Sequence, residues 1–366
     1  MSYSFKGLAV TMLIVICCYG CLKEDKFNLP FESYVPAEIG DGHMISNPAD
    51  ENIDPVALKE IYRSVYSDNN LWSLRSLLVF RNGKLVSETY LKDKQDITNR
   101  HLIWSCTKQV IGILVGIALE QEIISSIDDP ISNYFDTELA VHHDKDSITI
   151  RNLITMQSGI DYNNDGVGGE TDKMLRQIPD NSVEFILNRP IDAAQGTMFH
   201  YNDGNPHLMS ALIQKSTGMP TDEWADEVFF SNIELTNYNW VRYKDGITLG
   251  GFGIETTPRE MAKIALCVAD SGIWKGKQVI DPNWIEQMVY PHIQYPEMNY
   301  YFGYYWWIDP SRGIYFMWGH GGQFAFIVPD KNLVVVMTSI PNTQGKYQIQ
   351  ADDALPVVDR IIGAAL

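Results

Sequence analysis

The sequence predicts an α+β fold: an antiparallel sheet flanked by helices, with an all-helical domain inserted into it. Three observations carry this. The last third holds aromatic and β-branched runs divided by turns, at residues 301–308, 313–318, 323–328 and 333–338. An early pair of runs, 76–81 and 84–90, flanks Asn82-Gly83, the dipeptide that a tight I′ hairpin turn favours. Between them lie apolar runs with helical starts, so two early strands and several late ones belong to one interrupted sheet. The boundaries follow as a sheet domain over 53–117 and 246–366, with the helical insertion over 118–245.

At 366 residues, 45% of them hydrophobic, the chain can bury a large core. A formal charge of −18 with no basic patch excludes a phosphate-binding surface, so no nucleic-acid partner is expected. The five cysteines are Cys17, Cys18, Cys21, Cys106 and Cys267; three cluster near the start, so no disulfide framework is expected. Cys18 and Cys21 have metal or redox spacing but sit in an apolar leader without a second ligand pair. Lys6, an apolar stretch over 7–16 and Gly20-Cys21 together resemble a bacterial lipoprotein signal. Residues 1–20 then form a signal peptide, and Cys21 carries the lipid. Lys23-Glu24-Asp25 is similar to the acidic tag of some surface-exported lipoproteins. The expected location is the bacterial cell envelope, with the membrane as partner through this anchor. Residues 21–52, rich in Pro, Asn, Gly and acids, read as a tether.

Each later element has its own signal. Asp54-Pro55 opens a helix to about residue 66, with Asp at the N-cap and Pro in the first turn. Residues 106–121 are apolar and free of proline, a buried helix. Asp128-Asp129-Pro130 turns into a short helix, and 152–156 and 183–187 read as two more. Residues 163–170 have the Gly, Asn and Asp content of a loop, and 161–177 are expected to wall the pocket. An apolar helix over 208–217 ends at Gly218. Thr257-Pro258-Arg259-Glu260 is a capping box opening a helix to about 268, and Asp281-Pro282 opens the next. Gly319-His320-Gly321-Gly322 joins two of the late strands.

Chemistry centres on Ser105 and Lys108, three apart at the head of the apolar helix. That spacing puts both on one helical face, roughly 5–6 Å apart at Cβ, within reach of each other. A serine hydroxyl is a weak nucleophile until a neighbouring base takes its proton. Unpaired N–H groups of the first turn favour developing negative charge nearby. Cys106 is adjacent, but a helical neighbour points about 100° away, so it reads as packing. His142, His143 and His207 lack partners at metal spacing; no metal or cofactor is expected.

Ser105-Cys106-Thr107-Lys108, Tyr201-Asn202-Asp203 and His320-Gly321-Gly322 occur in this order. Together they resemble the serine β-lactamase and penicillin-binding protein superfamily. The resemblance is nearest its class C-like hydrolases: esterases, D-aminopeptidases, D,D-peptidases and 6-aminohexanoate-dimer hydrolases. It runs from about residue 77 to 338 and includes Ser158-Gly159-Ile160 and Gly250-Gly251-Phe252-Gly253-Ile254. It implies the β-lactamase/transpeptidase-like fold and hydrolysis of an ester or amide through an acyl-enzyme, on a small-molecule or peptide substrate. By the resemblance, Ser105 is the nucleophile, Lys108 takes or assists loss of its proton, and Tyr201 shuttles a proton to the leaving group. Gly321 and Gly322 match a strand edge against which substrate lies, and the N–H groups of Ser105 and Gln323 form the oxyanion hole. Two departures stand out. Asp203 occupies the usual asparagine position, and His320 the usual lysine position of true β-lactamases. Asp203 should hold Lys108 charged, shifting proton removal toward Tyr201, and should disfavour penicillins.

Gly-x-Ser-x-Gly, His-Glu-x-x-His and the Rossmann and P-loop patterns are absent from the sequence. The rival readings are a non-catalytic surface lipoprotein that binds peptide or glycan in the same cleft, and a true β-lactamase.

Overall fold

The computed structural model describes residues 28–164, 181–296, 298–341 and 348–366. The signal peptide, Cys21, and the 165–170 and 165–177 parts of the expected loop and pocket wall lie outside the described residues. Along the chain run α1 (Pro55–Ser67), β1 (Leu74–Arg81), β2 (Lys84–Tyr90), β3 (His101–Leu102) and α2 (Cys106–Glu120). Then follow α3 (Ile150–Ile154), α4 (Ser182–Leu187), α5 (Gly204–Thr217), β4 (Tyr238–Trp240), β5 (Ile254–Thr256) and α6 (Pro258–Ala269). The last part holds β6 (Ile273–Trp274), β7 (Lys277–Gln278), α7 (Pro282–Met288), β8 (Ile293–Gln294), β9 (Tyr301–Phe302) and β10 (Trp307–Asp309). It closes with β11 (Ile314–Gly319), β12 (Gln323–Val328), β13 (Leu333–Ser339) and α8 (Ala351–Ala364).

The main sheet has eight antiparallel strands in the order β2-β1-β13-β12-β11-β10-β9-β8. The early hairpin thus pairs with the last strand, as the alternation of strands and helices implied. Asn82 and Gly83 have φ of 51° and 74°, the pair of positive values a I′ turn requires. Every residue of β12 and β13 is buried, which demands cover on both faces. α6 lies on β12 and β13, α1 and α8 pack together, and α2 abuts β11. Asp54 caps α1 by accepting from Val56 and Ala57, and Thr257 caps α6 by accepting from Glu260. The reciprocal half of the expected capping box is replaced: Glu260 instead pairs with Lys263 at 3.1 Å and accepts from the Thr236 N–H.

Three expectations are corrected. The aromatic run over 301–308 is not one strand but β9 and β10, broken where Tyr305 takes a φ of 65°. Within 118–245 the described elements are helical apart from β4, which pairs with β5 in a three-stranded sheet. Residues 28–52 are not a free tether. Their backbone follows the open edge of β2, with Leu29 N–H donating to Leu91 O at 2.7 Å and Leu85 N–H to Met44 O at 2.8 Å. Buried Arg259 fixes this strap: its guanidinium donates to Ala37 O at 2.6 Å and Asp41 Oδ2 at 3.0 Å, while Glu88 balances its charge. An unpaired sheet edge supplies the acceptors and donors that composition alone does not reveal. Among the described residues no helix is long and apolar enough to cross a membrane.

Candidate active site

Two helix starts face each other. Ser105 occupies the N-cap of α2 and Asp203 the N-cap of α5, and neither side chain caps its own helix. Both are residue types that ordinarily spend their oxygen on the first turn. Here both oxygens are turned to Lys108 instead. Its Nζ donates to Ser105 Oγ at 2.9 Å, to Gly251 O at 2.7 Å and to Asp203 Oδ1. An ammonium has three donors and meets three acceptors, although the side chain is 0% exposed. Such a buried cation persists only because its partners replace water.

Gly251 makes the third contact possible. A Cβ there would stand 2.8 Å from Asp203 Cβ and 3.0 Å from its Cγ, so any larger residue would push the carboxylate away from Lys108. Asp203 is further held through its own N–H, which donates to Asn164 Oδ1 at 2.8 Å.

The electrostatics follow from this packing. Burial pulls the Lys108 amine down, but the Asp203 charge and Tyr201 outweigh it, and the net shift is upward. The Asp203 carboxylate thus holds Lys108 toward its charged form. Tyr201 lies alongside, with Lys108 Nζ 4.9 Å from its ring centroid and its hydroxyl interacting with Ser105 and Lys108. Burial lifts its phenol; Lys108 opposes that rise and Asp203 adds to it, leaving the group above its ordinary range. The hydroxyl is thus protonated at neutral pH, placed to donate.

The other sequence candidates gather around the same cleft. His320 lies in the turn between β11 and β12, its Nε2 3.2 Å from Gln348 Nε2 and its ring 5.1 Å from Trp104. Gly321 and Gly322 follow with φ of 77° and 92°, which lets the chain reverse directly into Gln323. The Gln323 side chain does not face the cleft: its Nε2 donates to Ser339 O at 2.9 Å inside the sheet. Its backbone borders α2, with Cys106 Sγ donating to Gln323 O at 3.4 Å. Cys106 is buried, and burial pushes its thiol well up, which suits packing and not nucleophilic attack. Trp104, Phe252, Tyr295, Trp307 and Trp318 also line the cleft, whose volume is about 490 Å³. Reading the sequence missed Gly251 O and the wall formed by Trp104 and Phe252. A backbone carbonyl from a distant loop leaves no trace in residue type, whereas Gly250-Gly251 was visible only as part of the resemblance.

This arrangement has the parts of acyl transfer: a hydroxyl at a helix start, a buried lysine beneath it and a protonated phenol beside it. The chain belongs to the Beta-lactamase family, whose model matches residues 75–355. A 6-aminohexanoate-dimer hydrolase of Paenarthrobacter ureafaciens is 22% identical over 309 residues, covering 77% of each chain. Teichoic acid D-alanine hydrolase of Staphylococcus aureus is 28% identical over 184 residues, 46% of this chain and 43% of that protein. The structure of a family VIII carboxylesterase superposes with a TM-score of 0.66 at 16% identity, over 88% of this chain and 98% of that one. The fold is accordingly β-lactamase/transpeptidase-like, and family and relatives indicate a hydrolase built on it.

Proposed function

We propose that the protein is a class C-like serine hydrolase that cleaves a neutral ester or amide through an acyl-enzyme on Ser105. The carrying observation is the 2.9 Å contact from fully buried Lys108 to a Ser105 hydroxyl that caps nothing. Ser105 Oγ attacks the substrate carbonyl; Lys108, in its minor neutral form, accepts the hydroxyl proton. Tyr201 hands a proton to the leaving group, and water later attacks the ester in the reverse sense. The N–H groups of Ser105 and Gln323 are the proposed donors to the oxyanion. A fluorophosphonate probe tests this reading, because it labels only an activated serine. Labelling of the purified protein at Ser105 is expected; its absence would favour a cleft that only binds.

Asp203 sets both the pH range and the substrate charge. A carboxylate beside Lys108 holds it charged, and the neutral base grows in only as pH rises. In Asp203→Asn this support is removed while burial still disfavours the charge, so the Lys108 pKa falls. The rising limb of the kcat/KM profile then moves to lower pH. The same change removes the repulsion against a penicillin carboxylate, so penicillin acylation should rise several-fold from a poor start. An unmoved pH limb with no gain in acylation would mean that Asp203 does not govern Lys108.

We also propose that Cys21 carries the lipid and that the mature protein sits in the cell envelope. The motive is the apolar 7–16 stretch ending at Gly20-Cys21. Fractionation should recover the mature chain with membranes, and mass spectrometry should find acylated Cys21 at its N-terminus. A mature chain with unmodified Cys21 would refute it.

A further inference from the structure

Two groups of rings line the cleft that holds Ser105. In one, Trp104 lies 5.1 Å from the His320 ring and 6.4 Å from Phe252, and all three line the cleft. In the other, Trp307 is 5.6 Å from Tyr201, 5.5 Å from Tyr295 and 5.0 Å from Trp318, again all lining residues. No lysine or arginine is among the described residues that line the cleft, and its one carboxylate, Asp203, is engaged by Lys108.

Trp104 is the exceptional member. Its φ of 52° is a left-handed value that side chains with a Cβ rarely adopt, yet the position next to Ser105 holds the bulkiest residue available. The backbone is fixed there from both sides, by Ile103 N–H donating to Ile254 O at 2.9 Å and Thr107 N–H to Trp104 O at 2.9 Å. The indole is therefore carried on an unfavourable backbone and projected into the cleft instead of into the core.

Building on the acyl-enzyme reading above, we propose that Trp104 determines specificity and that, with Phe252 and His320, it binds an uncharged, ring-bearing acyl group. The two sides are told apart by the proton path. Tyr201, which serves the departing group, stands with Trp307, so the leaving group takes that side. The acyl group stays bonded to Ser105 and falls to the side of its neighbour Trp104. Trp104 and Phe252, 6.4 Å apart, are already in contact, so a flat ring lies against their cleft-facing side by offset or edge contact. An anionic acyl group would lose its hydration with no lysine or arginine among the described lining residues to replace it.

The test compares p-nitrophenyl phenylacetate, acetate and monosuccinate, each kcat/KM corrected for its hydroxide-catalysed rate. The full protein should favour phenylacetyl over acetyl by about tenfold or more, with succinyl slowest. Trp104→Gly suits the positive φ and so should remain folded, as its Tm would verify. In it the phenylacetyl-to-acetyl ratio should fall about tenfold, whereas Trp104→Phe should retain most of it. An unchanged ratio in folded Trp104→Gly, or succinyl turned over as fast as phenylacetyl, would overturn the proposal. A protein that neither hydrolyses any ester nor takes the fluorophosphonate would remove the acyl-enzyme reading itself, and this proposal with it.

Discussion

Ser105→Ala should abolish ester and amide hydrolysis, by about 10⁴-fold or more, while the protein folds as before. The separation of the two effects rests on what the hydroxyl does in the resting protein. It caps no helix, so α2 loses no first-turn bond with it. Lys108 gives up one of three acceptors but keeps Asp203 Oδ1 and Gly251 O. Because a buried ammonium N–H loses its acceptor, the cost in stability should be about 1–3 kcal/mol, too little to unfold the protein. Steady-state hydrolysis of a p-nitrophenyl ester beside thermal unfolding checks both halves. A folded Ser105→Ala protein that keeps full activity would refute the assignment of the nucleophile.

Lys108→Ala should lower kcat by about 10²-fold or more, and Tyr201→Phe similarly, if both move protons in the reaction. The lysine variant carries a second effect that must be kept apart from the first. Removing the cation leaves the Asp203 carboxylate, only 11% exposed, without its partner. Breaking a buried pair from one side costs about 3–5 kcal/mol of stability. The double variant Lys108→Ala with Asp203→Asn deletes both charges and should regain much of that stability. It should regain none of the rate. Activity restored along with stability would mean that Lys108 only supports the fold. A Tyr201→Phe protein of normal kcat would leave Tyr201 as a packing residue.

The parts of the fold legible in the sequence are those set by local chemistry. Asn82-Gly83 announced its turn because both residues tolerate positive φ, and Asp54 and Thr257 announced helices by their caps. Ser105 and Lys108 were legible for the same reason, since helical spacing alone brings them together. Tyr201 and Asp203 come from almost a hundred residues further on; only the family pattern pointed to them, and only the fold brings them to Lys108. The 301–308 run misled because its β propensity is real, but the turn at Tyr305 depends on packing. There Gln109 Nε2 of α2 donates to Tyr305 O at 2.5 Å. Residues 28–52 misled in the opposite way. Their composition is that of a loop, and their order comes from a sheet edge and from Arg259, far away in the chain.

That strap bears on how far the enzyme can roam. With the chain fastened from Leu29 onward, only residues 22–27 separate Cys21 from the described body. Even fully extended, so short a stretch spans no more than about 25 Å. A lipid on Cys21 would therefore keep the catalytic body grazing the headgroups, where a linker of thirty loose residues would have let it sweep the space around. Its accessible substrates would be those that diffuse along, or are embedded near, that same leaflet.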